Sequence, residues 1–161
     1  MRRLKSRSRG MTLIELMVGL AVMALLATAA APFMGDMVAN SRLREAGNLL
    51  FGETLLAQSE AIKRNTTVRV STNGSSVQML DMTQPSQPAV LRERTLPGAV
   101  QAPVKTFDFG PEGRPAPFGT AVSVNLAAAS ATCSDDLRCP GLRVDAGGAV
   151  RLCGNYLVSC P

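Results

Sequence analysis

The chain has no histidine in its 161 residues, and no two of its four cysteines stand at Cys-x-x-Cys spacing. Without histidine, the commonest general base and the commonest metal ligand are missing together. Neither Ser-x-x-Lys, Gly-x-Ser-x-Gly nor a phosphate-cradling glycine loop occurs, and Gly147-Gly148 reads as part of a turn. The one adjacent acidic pair, Asp135-Asp136, lies between cysteines, where a solvated loop explains it. These absences argue against an enzyme, a bound cofactor and a metal site. A strong charge balance is also missing. Five of the 17 lysines and arginines fall within the first ten residues, which leaves 12 against 12 aspartates and glutamates in the rest. Bulk charge therefore gives no argument for nucleic-acid binding; only the placement of individual arginines can.

What is present is a long apolar stretch, Arg9 to Pro32, reading RGMTLIELMVGLAVMALLATAAAP. It is about as long as a bilayer-spanning helix. It contains one acid, Glu15. A carboxylate in a membrane helix costs about 2.5 to 3.5 kcal/mol on insertion scales, so an acid there is read as functional and in need of a partner. Arg2, Arg3, Lys5, Arg7 and Arg9 precede the stretch, and such a cluster keeps an N-terminus in the cytoplasm. Everything after Pro32 is then expected outside the cytoplasm, across the inner membrane. A secretory signal peptide also begins with a basic region, and Ala27 to Ala31 would serve as its small-residue cleavage site. The length of the apolar run and Glu15 within it speak against that alternative.

Gly10-Met11-Thr12-Leu13-Ile14-Glu15-Leu16 resembles the class III signal of type IV pilins and type II secretion pseudopilins. The resemblance implies that a prepilin peptidase cuts after Gly10, that Met11 becomes a methylated N-terminus, and that Glu15 is the fifth mature residue. The family usually has Phe after the cut, and Met11 departs from that. It further implies assembly with other pilin or pseudopilin subunits through the apolar helix. There the Glu15 carboxylate would meet the free amine at Met11 of a neighbour, each charge offsetting the other's desolvation. The expected division is a cleaved leader at 1–10, a transmembrane or filament-core helix at 11–32, an amphipathic continuation at 33–64 and an exported globular β domain at 65–161.

The continuation is legible from spacing. Leu43, Gly47, Leu50, Thr54, Ala57 and Ala61 recur every three or four residues, with Arg42, Arg44, Glu45, Glu53, Glu60, Lys63 and Arg64 among them. Such a stripe packs on a sheet. Strands are expected at Thr67 to Ser71, Val77 to Met82, Ala89 to Leu96, Val104 to Phe109 and Thr120 to Leu126, with a hairpin turn at Asn73-Gly74. The stretch Gly110 to Pro115 is expected outside any sheet. A last hairpin joins Leu142 to Val144 with Ala149 to Leu152 through Asp145 to Gly148. The fold class is α+β: one long N-terminal helix on antiparallel sheet. The order resembles the GspH/FimT subgroup of minor pilins and pseudopilins, whose globular domain has two antiparallel sheets and a C-terminal hairpin.

Cys133, Cys139, Cys153 and Cys160 follow the membrane segment, where oxidation is favoured. Of three possible pairings, the turn at Asp145 to Gly148 selects the nested one, Cys139 with Cys153 and Cys133 with Cys160; the neighbour pairing, Cys133 with Cys139 and Cys153 with Cys160, is the alternative. Two functions suit the subgroup beyond a type II secretion role: a minor pilin in pilus initiation or at the tip, and a pilin that also captures DNA. DNA-binding members resemble one another in a Gly-Arg-x-Arg pattern on the last hairpin. Here Gly148-Ala149-Val150-Arg151 keeps the glycine and the final arginine, with Arg143 and Arg138 as further candidate contacts.

Overall fold

The computed structural model describes residues 11–129, 131–158 and 160. The chain divides into two compact units, Met1–Gly35 and Asp36–Pro161. One helix, α1 (Leu13–Arg64), contributes to both. In the first unit its residues Leu13–Ala30 form a span with a mean hydropathy of 2.2, long and apolar enough to cross a membrane. None of that span is buried within the chain.

The second unit has its own core. Leu43, Ala46, Leu50, Thr54, Ala57 and Ala61 are completely buried, so the three-and-four spacing does mark the packed face of the helix. Thr54 is accommodated there because its hydroxyl donates to the Leu50 carbonyl at 2.8 Å, leaving no unpaired polar atom. Glycine at 47 has a steric reason: a Cβ would lie 3.0 Å from Pro140, whose loop presses on the helix.

Two antiparallel sheets complete this unit. In the larger, β1 (Val68–Gly74), β2 (Ser76–Asp81), β3 (Ala89–Thr95), β4 (Val100–Phe109) and β5 (Pro115–Ala116) run in the order β3-β2-β1-β4-β5. The smaller has β6 (Val122–Asn125), β8 (Gly141–Val144) and β9 (Val150–Cys153) in that order. A two-residue strand, β7 (Ala127–Ala128), pairs with the start of β4. Val68 and Val70 from β1, Phe107 and Phe109 from β4, Val124 from β6 and Leu142 and Val144 from β8 meet the helix in one core. Phe107 and Phe109 pack edge to face at 5.9 Å.

Three expectations about the sheet need correction. Strand β4 starts at Val100, ahead of Pro103, because the β1–β4 register slips between Thr72 and Gly74 and the proline falls in the irregularity. There its carbonyl accepts from the buried Thr72 hydroxyl at 2.7 Å. Pro115 also belongs to the sheet, on the two-residue strand at its edge, a position where a missing N–H is tolerated. The first hairpin turns at Gly74-Ser75, between the paired Asn73 and Ser76, one residue later than expected.

Candidate functional site

The N-terminal signal continues into a helix that begins at Leu13. Gly10 lies outside the described residues. Met11 is exposed, as is the apolar run after Thr12. Glu15 is engaged locally. Its backbone N–H donates to the Thr12 hydroxyl at 3.3 Å, and its carboxylate stands 3.5 Å from both the Thr12 N–H and the Thr12 hydroxyl. This reciprocal arrangement is a capping box, with Thr12 as N-cap and Glu15 three residues on. A carboxylate in the first turn is also favoured by the positive end of the helix dipole. The Thr-x-x-Glu spacing was in the sequence as a capping signal, and the reading of Glu15 as a membrane-embedded charge passed over it.

At the other end of the chain, the disulfides are Cys133–Cys139 and Cys153–Cys160, with Cα separations of 5.7 and 5.4 Å. The nested pairing of Cys139 with Cys153 and Cys133 with Cys160 is therefore wrong. Register explains the error: the residue opposite Cys153 is Gly141, two positions beyond Cys139. Cys139 instead meets the chain past β9, where its carbonyl accepts from the Tyr156 N–H at 2.9 Å. The absent side chain at Gly141 leaves room for the second bridge, since a Cβ there would stand 3.0 Å from both the Cys153 and the Cys160 sulfurs. Each bridge thus closes a short local loop, on either side of the hairpin.

The hairpin brings Arg143 and Arg151 together as directly opposed residues of β8 and β9. Ser123 of β6 completes the row on the other side of Arg143. Their neighbours Val124, Leu142 and Val144 point into the core, so this row lies on the outer face. Like charges directly opposite each other are unfavourable in a sheet. The Arg143 guanidinium is drawn aside, donating from Nη1 to Asn125 Oδ1 at 2.7 Å and to the Leu142 carbonyl at 2.9 Å. Lys105 of β4 reaches the same region and donates to the Ser123 carbonyl at 2.6 Å. Its arrival depends on how the two sheets meet, and nothing local in the sequence announces it. Arg138 is placed differently: with Asp135, Asp136 and Arg44 it lines a cleft against α1. With Cys139 bridged to Cys133, no disulfide ties Arg138 to the hairpin that carries the other two arginines.

The turn between β8 and β9 is anchored to the helix. Gln58 donates its side-chain amide to the carbonyls of Gly113 and of Gly148, the latter at 3.0 Å. Gly148 has a φ of +94°, and a Cβ there would come within 2.8 Å of the Gly113 carbonyl oxygen. Asp145 Oδ1 accepts from the Gly147 and Ala149 N–H groups at 2.9 Å each, which fixes the loop.

Other polar contacts are structural. Arg69 donates to Asp108 in a two-pronged pair across β1 and β4 at 2.6 and 2.8 Å, and this hydrogen bonding to the carboxylate raises the Arg69 pKa. The Arg64 hydrogen bond holds the Glu60 carboxyl below its ordinary range. The hydroxyl of Thr83 does the same for Asp81.

One long helix with an exposed apolar start, and a globular unit of two antiparallel sheets ending in a stapled hairpin, define a pilin-like subunit. The chain belongs to the GspH family: the family model described as type II transport protein GspH matches residues 46–153. A prokaryotic N-terminal methylation motif matches residues 5–31. Among solved structures, the type IV minor pilin FimU of Pseudomonas aeruginosa is similar at 18% identity and a TM-score of 0.59, covering 70% of this chain and 88% of that one. The minor pseudopilin EpsH of the type 2 secretion system of Vibrio cholerae is similar at 13% identity and a TM-score of 0.57, covering 70% of this chain and 97% of that one. At such identities the likeness establishes the fold. No curated protein matches the chain by sequence. Family and motif together make this a minor pilin or pseudopilin of the type IV pilus or type II secretion kind, with processing by the prepilin peptidase implied by the methylation motif.

Proposed function

We propose that the protein is a minor type IV pilin, a structural subunit without catalytic activity, that enters the pilus at initiation or at its tip. The observation that carries this reading is the contrast within α1: Leu13–Ala30 is apolar and wholly unburied, whereas the stripe Leu43, Ala46, Leu50, Thr54, Ala57 and Ala61 is sealed in the core. A surface that apolar is covered either by lipid or by other subunits, and a pilin exchanges the one for the other. In this reading the leader 1–10 stays cytoplasmic until the peptidase cuts after Gly10, residues 11–32 hold the chain in the inner membrane, and the unit that follows is periplasmic. The amine freed at Met11 then pairs with Glu15 of a neighbouring subunit. Before assembly the capping box gives Glu15 partners within its own chain, which lowers the cost of keeping a carboxylate in the membrane.

The test is replacement of Glu15. Glu15→Val removes the costly charge and leaves membrane insertion intact, while recovery of the protein in sheared filaments falls at least tenfold. Recovery at the parental level would remove Glu15 from the assembly step.

A second reading, that the exposed unit also captures DNA, is favoured by the opposed Arg143 and Arg151 with Lys105 beside them. Clustered cations on an outer sheet face suit a phosphate backbone, and contacts of that kind are indifferent to base sequence.

A further inference from the structure

A cleft of about 680 Å³ in the globular unit lies between α1, the Cys133–Cys139 loop and the end of β9. Met37, Asn40, Ser41 and Arg44 form its helix wall, at the spacing of one helical face. Asn40 clamps the opposite wall in place: its amide donates to the Asp136 carbonyl at 2.7 Å and accepts from the Arg138 N–H at 2.8 Å. Because Asn40 uses only the main chain of that loop, the side chains of Asp135, Asp136 and Arg138 are left exposed on a rigid frame. Among the described residues, none of these three nor Arg44 takes part in a salt bridge, although Glu53, Glu60, Asp81 and Asp108 all do. Pro140, Leu152 and the exposed Met37 supply the apolar part of the lining.

An apolar centre with a charged rim is the anatomy of a protein interface. Two cations and two carboxylates held apart, with their own pairing unmade, ask for a partner carrying both signs. A polyanion such as DNA meets repulsion from Asp135 and Asp136, and a small neutral ligand leaves all four charges unused. We propose that this cleft is a subunit contact: it receives a segment of a neighbouring pilin-fold subunit that inserts an aliphatic side chain between Met37, Pro140 and Leu152 and presents a carboxylate to Arg44 or Arg138 and a cation to Asp135 or Asp136. The inference rests on the assembly reading above and adds to it a specific contact outside the apolar helix.

The experiment uses the full chain in cells that assemble filaments, with the photo-crosslinking residue benzoylphenylalanine at position 37. Leader cleavage and filament recovery are read from the same sample. The expected result is a crosslink to another pilin-fold subunit that falls at least tenfold in Arg138→Glu and in Asp136→Lys, with leader cleavage unchanged. Arg44→Glu, on the helix wall, gives the same loss independently of the loop, and an unchanged melting temperature of each purified variant shows that the fold is intact. Recovery in filaments with position 37 crosslinked only to lipid, or crosslinked equally in all three reversals, overturns the cleft contact and leaves the pilin reading standing. A processed chain that never enters filaments overturns both.

Discussion

Arg143 and Arg151 stand directly opposite each other across the β8–β9 ladder, and only Arg143 has its guanidinium occupied by a neighbour, Asn125. Arg151 is exposed and, among the described residues, is in neither a hydrogen bond nor a salt bridge through its side chain. The two arginines are therefore unequal. In a titration of duplex DNA with the detergent-solubilised full chain at two salt concentrations, Arg151→Ala lowers affinity more than Arg143→Ala, and each phosphate contact removed reduces the salt slope by about one. Arg138→Ala, in the cleft it shares with Asp135 and Asp136, leaves binding unchanged. No binding at low salt, or binding unaffected by the Arg143 and Arg151 double replacement, leaves the structural role alone.

Gln58 hydrogen-bonds from α1 to the turns after both β4 and β8. Gln58→Leu keeps the apolar stem and strands two carbonyl groups that had a donor, so the globular unit loses about 1 to 3 kcal/mol by chemical denaturation. Gly148→Ala does at least as much damage, since it combines a strained φ with a clash against the Gly113 carbonyl. A Gln58→Leu protein as stable as the parent would show the clamp to be idle.

Asp81 and Glu60 make stability pH-dependent in a definite direction. Both carboxyls are held below their ordinary values in the folded state, the first chiefly by Thr83 and the second by Arg64. A depressed folded pKa means that the contribution is complete above the unfolded value, about 4, and is lost as pH falls through the folded one. The melting temperature should thus be flat from neutrality to about pH 5 and drop below it. Asp81→Asn should lower the plateau and shallow the drop; an unchanged profile would mean that Asp81 contributes nothing.

Much of this molecule was readable in advance, for identifiable reasons. The packed face of α1 from Leu43 to Ala61 showed through because a helix buried on one side imposes a period that solvent cannot erase. The apolar run and its acid were legible for the same kind of reason, a bilayer's demand on composition. The disulfides were misread because a two-residue error in hairpin register moves Cys139 from beside Cys153 to beside Tyr156, and nothing in the spacing of cysteines reports register. Pro115 misled because proline excludes a regular central strand but not an edge, and which of these a proline occupies is decided by its neighbours in space. The capping box at Thr12 and Glu15 was legible and was overlooked, while the cleft at Asn40 depends on contacts across nearly a hundred residues of chain, such as that between Asn40 and Arg138.

The central claim, that the apolar helix is retained in a processed pilin, is tested most directly by mass spectrometry of the intact protein extracted from membranes. The account predicts a chain that begins at Met11 with one added methyl group on its amine, and that keeps its leader when Gly10 is replaced by a bulky residue. A chain beginning at Met1, or one beginning between Ala27 and Pro32 after loss of the apolar segment, would contradict it.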